Sequence, residues 1–231
     1  MEAGSLAKGG AVAGGPLHEA VDLPWRKRFD RTKLGRRERF WTVWTVCVVA
    51  PFIAAGGVLV WLEPWTFPVA IWSWAHAWAI PMLYGRRAGR SVVPIGSAKS
   101  AAASPGVDAR ANSRALGLLG DLLGHRERQL MSETGFALQR GGLGVWLLGE
   151  KGALLVRPGG RRVDSWCVRI AEPGGLPAGD RVAHLLLALR EDEDGFCTVA
   201  NMDFSGAAWR VRRHLPERAR PALDAARAEA H

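Results

Sequence analysis

Formal charge is almost absent from one long part of this chain. Between Phe40 and Gly85 the only charged residue is Glu63, although the whole sequence carries 31 Lys and Arg and 22 Asp and Glu residues. A pair of buried helices in a water-soluble protein seldom contains uncharged runs of this length. The gap therefore argues against an ordinary soluble fold for residues 41–84.

Cysteine is also scarce. The three cysteines, Cys47, Cys167 and Cys197, are odd in number and indicate no disulfide framework. Taken with His184, Cys167 and Cys197 match no zinc-binding spacing. We expect both thiols to be inert, as buried free cysteines usually are, and we predict neither a metal nor a cofactor.

The motifs of common catalytic classes are missing. The glycines of residues 140–144 precede a predicted strand, whereas a phosphate-binding loop needs them after a strand and before a helix. Ser205 lacks the glycines of a nucleophile elbow. The acidic run 191–195 fails as a calcium loop, because Arg190 and Asn201 would stand at ligand positions. The sequence thus predicts no catalytic residue and no small-molecule substrate.

What the sequence does contain is two apolar runs, residues 41–62 and 66–84, joined by Glu63, Pro64 and Trp65. At a rise of ~1.5 Å per residue they would span about 33 and 28 Å as helices, close to the ~30 Å hydrocarbon layer of a bilayer. Backbone polar groups in lipid must be satisfied within the segment, which favours helices. We predict a two-helix transmembrane hairpin over residues 41–84.

Lys and Arg residues lie at both outer ends of this hairpin and are absent from its turn. Eight cations precede the first run, Arg86, Arg87 and Arg90 follow the second, and the connecting turn has none. Positive charge is retained on the cytoplasmic side of membranes, so both termini are predicted to be cytoplasmic. The bias toward Arg, Ala and Gly suggests a bacterial genome, which makes the plasma (inner) membrane the expected location.

The segment before the hairpin has two parts. Residues 1–24 lack periodicity and are predicted to be a disordered tail. Residues 25–40 are basic with interleaved aromatic residues, and the first interpretation is that these charges only fix the orientation. The alternative is that the segment lies on anionic lipid headgroups. The predicted membrane-surface residues are Trp25, Arg26, Lys27, Arg28, Phe29, Arg31, Lys33, Arg36, Arg37 and Arg39.

Three residues of the second run are predicted to pack the helices together. Ser73 and Ala77 form a small-xxx-small pair that lets two helices approach closely. His76 is costly in lipid and is expected to be a neutral imidazole hydrogen-bonded to the neighbouring helix, since no second deep acid or base completes a proton relay. Trp72, Trp74 and Trp78 lie too deep for the interface and imply packing or lipid contact.

Beyond the hairpin, residues 85–106 are predicted to be a basic stop followed by a flexible linker rich in Ser, Ala and Gly. Residues 107–231 have the size of one domain. We predict an α+β fold with a mainly antiparallel sheet. Its expected elements are a helix from Asp108 that ends by Gly135, strands at 145–148, 153–157 and 162–171, a helix capped by Asp180, a strand at 196–202, and a last helix from Pro216.

A basic cluster beside an aromatic residue is the one candidate binding feature of the domain. The first interpretation of these residues is a solvated charged face, and the alternative is a contact with phosphate or a partner through Trp209, Arg210, Arg212 and Arg213. Nucleic acid is an unlikely partner, because residues 1–90 hold +6 of the net charge of +9.

These observations predict a membrane protein with an added α+β domain. The leading hypothesis is a two-pass protein that displays a cytosolic partner-binding or regulatory domain, with a protein partner or a second copy of the chain beside the lipid. The alternative is a membrane-tethered enzyme of the hydrolase or nuclease class. Its candidate acids would be Glu133, Glu150, Asp164 and Asp203.

Overall fold

Two long helices open the part of the chain that the structure describes. The structure is a computed structural model that describes residues 27–103, 106–168 and 175–231. Helix α1 covers Arg31–Leu62, a 3-10 turn covers Pro64–Thr66, and helix α2 covers Phe67–Ser91. Asp30 caps α1 by accepting a hydrogen bond from the backbone of Thr32. The turn satisfies its own ends, because the Thr66 hydroxyl donates to the carbonyl oxygen of Leu59 at 2.6 Å.

The two helices pack against each other as an antiparallel pair. The hydroxyl of Ser73 donates to the carbonyl oxygen of Phe52 across the pair at 2.7 Å. Gly56 allows the indole of Trp74 to approach, since a Cβ atom at Gly56 would overlap that ring. Ala70 and Ala77 are buried in the same contact. Small residues at these positions permit the close helix approach.

The remainder of the described chain forms an α+β domain around an antiparallel sheet. The strands are β1 Ala137–Arg140, β2 Val145–Gly149, β3 Gly152–Val156, β4 Arg162–Cys167 and β5 Asn201–Ala207. They lie side by side in chain order, and each pairs antiparallel with the next. The prediction of an α+β fold with an antiparallel sheet is confirmed.

Helices cover both faces of this sheet. They are α3 Ala98–Ala103, α4 Ala109–Asp121, α5 His125–Thr134, α6 Ala178–Glu191, α7 Glu193–Val199, α8 Ala208–His214 and, after a 3-10 turn at Glu217–Ala219, α9 Arg220–Glu229. On one face Trp146 and Trp166 meet residues of α4, α6 and α7. On the other face Leu147 and Leu154 meet residues of α8 and α9. Alternate residues of each strand thus enter two separate cores.

Several local predictions match these elements. Asp108 caps α4 by accepting from the backbone of Arg110, and Gly135 ends α5 in the left-handed conformation at φ 77°. A Cβ atom at Gly135 would also overlap the backbone of Ile95. Glycine is therefore required both by the positive φ and by the close approach of that backbone. The hairpin from β2 to β3 pairs as predicted, with Gly149 opposite Gly152.

One strand was missed, and two local predictions are wrong. Strand β1 was not predicted, because its four residues give too little alternation. The predicted strand at 196–202 is mostly helix α7, in which Phe196 and Cys197 are buried, and β5 starts only at Asn201. The helix predicted to be capped by Asp180 begins at Ala178, with Pro177 at the capping position.

The predicted flexible linker is ordered against the domain where the structure describes it. Val92 is fully buried, and Val93 accepts a backbone hydrogen bond from Glu150 at 2.8 Å. Ile95 donates to the carbonyl oxygen of Gly135 at 2.9 Å. These apolar residues find a site beside the β2–β3 turn, so the segment after α2 is part of the fold and not a free tether.

The domain also contacts the long helices directly. Helix α2 packs on α8, β4 and β5, and α1 packs on β5. The indole of Trp41 lies 6.4 Å from the ring of Phe204. Strand β5 is an edge of the sheet, and the two helices cover it. An exposed edge strand pairs readily with other chains, so this cover protects the fold.

By length and composition, one described helical segment, Leu34–Leu62, is long and apolar enough to cross a bilayer, a test that core helices and signal sequences also pass. Helix α2 does not meet that test in its described residues. Trp72, His76 and Pro81 lower its apolar character. The two-helix membrane hairpin therefore stays a prediction.

The buried segment after α2 gives a first test. Replacing Val92 by alanine in the full chain should lower the free energy of unfolding of the domain by about 2 kcal/mol, because a fully buried side chain is truncated. Urea titration of the detergent-solubilised protein with pulse proteolysis measures this. The matched control is Lys99→Ala, which changes an exposed residue of the same segment and should stay within about 0.5 kcal/mol. Equal stability of both variants would show that the segment after α2 is a flexible tether, as the sequence predicted.

Candidate membrane-interface site

The predicted basic cluster lies in α8, and α8 packs against helix α2. Ala208 and Val211 of α8 are buried in the core, which turns the polar side of the helix outward. Between the two helices lies a small apolar groove of about 170 Å³. Its lining residues are Trp78, Pro81 and Met82 of α2 and Trp209, Arg210, Arg213 and His214 of α8.

The groove lies well along α2 from the turn that joins the long helices. Trp78 and Met82 follow Thr66 by 12 and 16 residues in the sequence. At ~1.5 Å per residue they are about 18 and 24 Å from the turn along the helix axis. The groove thus occupies the part of α2 nearest the domain.

Two cations of the groove have no acidic partner among the described residues. The guanidinium of Arg210 lies 5.4 Å from the centre of the Trp209 ring, and its Nε atom is buried without a hydrogen-bond acceptor. Burial, and then the nearby charge of Arg162, lowers the pKa of Arg210. Arg213 is exposed and forms no ion pair with the residues that the structure describes. An anion here would offset an uncompensated positive charge.

Arg212 does not belong to this site. Its guanidinium forms two hydrogen bonds of 3.0 Å with the carboxylate of Asp224, from Nε and from Nη2. That hydrogen bond and the charge of Asp224 raise the pKa of Arg212. Arg212 therefore lies outside the groove that Trp209, Arg210 and Arg213 line, and its predicted contact with phosphate or a partner stays a prediction.

The predicted membrane-surface segment divides in the structure. Trp25 and Arg26 lie outside the described residues, as do the side chains of Lys33 and Arg37. Lys27, Arg36 and Arg39 are exposed, and Arg28 is exposed beside a cavity of about 550 Å³ that Lys27 also lines.

Phe29 and Arg31 bind the domain instead of an open surface. The backbone of Phe29 donates to the Thr198 hydroxyl at 2.9 Å, and its ring meets Trp166 edge-on at 5.7 Å. Arg31 pairs with Asp194 at 2.8 Å and with Glu193 at 3.4 Å. Residues 27–30 are not helical, and the helix begins at Arg31.

The predicted packing residues of the second run lie at or beside the helix contact. Ala77 is buried, and the hydroxyl of Ser73 bonds across the pair. The His76 ring stacks on Phe52 of α1 at 5.6 Å. Its Nδ1 atom lies 2.9 Å from the carbonyl oxygen of Trp72 in its own helix, and not against a carbonyl of the neighbour as predicted.

The four acids of the enzyme hypothesis have separate surroundings. Glu150 is fully buried, accepts a hydrogen bond from the Ser100 hydroxyl and lies 3.8 Å from Arg181. Asp164 is buried in β4, and burial raises the pKa of its carboxyl, an effect that the nearby Ser205 hydroxyl and the charges of Arg157 and Arg162 only partly offset. The described residues contain no group of three or more His, Cys, Asp and Glu side chains able to hold a metal ion.

Sequence reasoning missed the α2 side of the groove and the role of Glu193. Trp78 carried a signal, since its depth in the second run implied packing or lipid contact, and in the structure this exposed indole lines the groove beside α8. Glu193 accepts hydrogen bonds from the backbone of Gly142 at 2.9 Å and of Leu143 at 3.2 Å, and from the Trp146 indole at 2.6 Å. The rest of the acidic run gave no sign that this one carboxylate is inward-facing.

Compared with known proteins, the chain matches no protein-family model, no curated protein and no solved structure.

The Glu193 contacts yield a second prediction. Changing Glu193 to alanine should lower the free energy of unfolding by about 3 kcal/mol, because the partly buried donors of Leu143 and Trp146 lose their acceptor. Glu191→Ala is the matched control, since Glu191 is an exposed residue of the same acidic run. Thermal or urea unfolding of the full chain in detergent measures both. Equal effects would mean that Glu193 is an ordinary surface acid.

Proposed function

We propose that the chain is a two-pass inner-membrane protein that holds a cytosolic α+β domain against the membrane as a partner-binding or regulatory module. The observation that carries this proposal is the outward-facing apolar surface of α1 and α2. Only 6 % of the most apolar stretch of Leu34–Leu62 is buried inside the protein. The helices turn these large side chains outward: Val43, Val46, Ile53, Val58, Trp61, Leu62, Trp65, Phe67, Val69, Ile71, Trp72 and Trp78.

Such a surface needs a non-aqueous environment. Monomeric soluble proteins rarely expose contiguous apolar patches larger than a few hundred Å². A core helix of a soluble protein would bury the same residues, and α1 does not. Helix α2 is less apolar than α1 but runs beside it, and the exposed indoles of Trp72 and Trp78 suit contact with lipid. The pair is therefore better explained as a membrane hairpin.

The ends of the hairpin support the proposed orientation. The turn carries Trp61 and Trp65, exposed by 84 % and 92 %, and no Lys or Arg, which fits the outer interface. At the opposite end lie the α+β domain and the basic residues that precede α1 and form its first turns. The positive-inside rule then assigns the domain to the cytosol.

A binding role fits the domain better than catalysis. The candidate acids have separate neighbours, and Asp164 and Glu150 are buried within the fold. By contrast, a cavity of about 550 Å³ opens between the segment before α1 and the α7–β5 connection. It is lined by both polar and apolar groups, among them Lys27, Asp30, Trp41, Asn201 and Met202. Such a mixed surface suits contact with another macromolecule.

Topology reporters test this proposal. A reporter active only outside the cytoplasm should be silent when fused after His231 and active when inserted between Glu63 and Pro64. The reason is that, in the proposed topology, the turn between the two helices lies outside the cytoplasm and both termini lie inside it. The full chain should also resist extraction from membranes by alkaline carbonate. Reporter activity after His231, or release by carbonate, would contradict a two-pass protein with a cytosolic domain.

A further inference from the structure

We infer that the groove between α2 and α8 binds one phospholipid with an anionic headgroup, its phosphate against Arg210 and Arg213 and the start of an acyl chain along Trp78 and Met82. The inference rests on the proposed membrane insertion of α1 and α2. It adds the class of lipid and the residues that select it.

The groove has the two chemical halves of a phospholipid. Its α2 side is apolar, with Trp78, Pro81 and Met82, and Trp78 is 65 % exposed toward the surface that the bilayer would cover. Its α8 side carries Arg210 and Arg213 together with Trp209, which is 55 % exposed. An indole beside cations is typical of the level at which headgroups meet hydrocarbon.

The charge at this site favours an anion. Arg210 has an acidic partner nowhere in the described residues, and its Nε atom is buried without an acceptor. A phosphate would accept hydrogen bonds from the guanidinium fork and neutralise both Arg210 and Arg213. A zwitterionic lipid would place its own ammonium group near these cations, so an anionic headgroup is preferred.

The position of the groove distinguishes a lipid from a soluble anion. The groove is bounded on one side by α2, at the part of that helix nearest the domain, and on the other side by the arginines of α8. A free phosphate in water would contact only the arginines and leave the apolar wall unused. A phospholipid in the inner leaflet meets both.

Full-length protein in a mild non-ionic detergent allows a direct test. The protein is titrated with phosphatidylglycerol or phosphatidylcholine carrying a fluorescent acyl chain, and bound lipid is measured by anisotropy. Phosphatidylglycerol should bind more tightly than phosphatidylcholine. Arg210→Gln should weaken phosphatidylglycerol binding by at least about tenfold, since a charged hydrogen-bond donor is lost.

Two further variants make the test specific. Arg213→Gln changes an exposed side chain, so it should leave the fold intact and still weaken phosphatidylglycerol binding. Arg212→Gln is the matched control on the same helix, because Arg212 pairs with Asp224 away from the groove. It should leave the lipid preference unchanged.

Three results would overturn the inference. These are equal binding of the two lipids by the unaltered protein, an equal loss for Arg212→Gln and Arg213→Gln, and displacement of phosphatidylglycerol by inorganic phosphate. Carbonate extraction on the same preparations separates this from the proposed function. A chain that resists extraction but shows no lipid preference contradicts the lipid site alone, whereas a chain that is extracted contradicts the membrane hairpin itself.

Discussion

Arg162 joins the sheet to the first long helix. Its Nη2 atom donates to the carbonyl oxygen of Glu38 at 3.0 Å, its Nη1 atom to the Thr42 hydroxyl at 3.3 Å, and its Nε atom lies 3.3 Å from the Glu38 carboxylate. Since Arg162 starts β4 and pairs with Ala207 at the end of β5, this contact fixes α1 at the edge of the sheet. The contact of α1 with β5 depends on it, while α2 packs directly on α8, β4 and β5 along the same side of the sheet.

This arrangement fixes the position of the domain relative to the two long helices. If α1 and α2 cross the membrane, the contacts of Arg162, Trp41 and Phe29 set the distance and tilt of the domain. Arg162 also lies close enough to Arg210 to contribute, after burial, to the lowering of that residue's pKa.

Local chemistry was predictable from the sequence where one residue type has one structural use. Asp108 as a helix cap, Gly135 as a left-handed stop and the β2–β3 hairpin follow from backbone requirements that few residues meet. The antiparallel α+β class followed from the order of these segments.

Tertiary context decided the rest. Residues 92–95 resemble a linker because Ser, Ala and Gly follow them, yet their apolar side chains have a site beside the β2–β3 turn. Arg212 and Arg213 are adjacent and chemically identical in the sequence, but only the position of Asp224 on α9 decides which is free to bind an anion. Glu193 is likewise distinguished from its acidic neighbours only by the amides it meets. Such long-range partners leave no local pattern.

The central claim is that the domain packs against the ends of the long helices and is not joined to them by a flexible linker. The most direct test is the distance distribution between spin labels at Arg36 and Glu217, two exposed positions on α1 and on the domain, by double electron–electron resonance in nanodiscs. The three native cysteines are replaced by alanine, and a pair within the domain, at Arg114 and Glu217, gives the reference width. The account predicts one distribution as narrow as the reference. A distribution several times broader, as a flexible tether would produce, would contradict it.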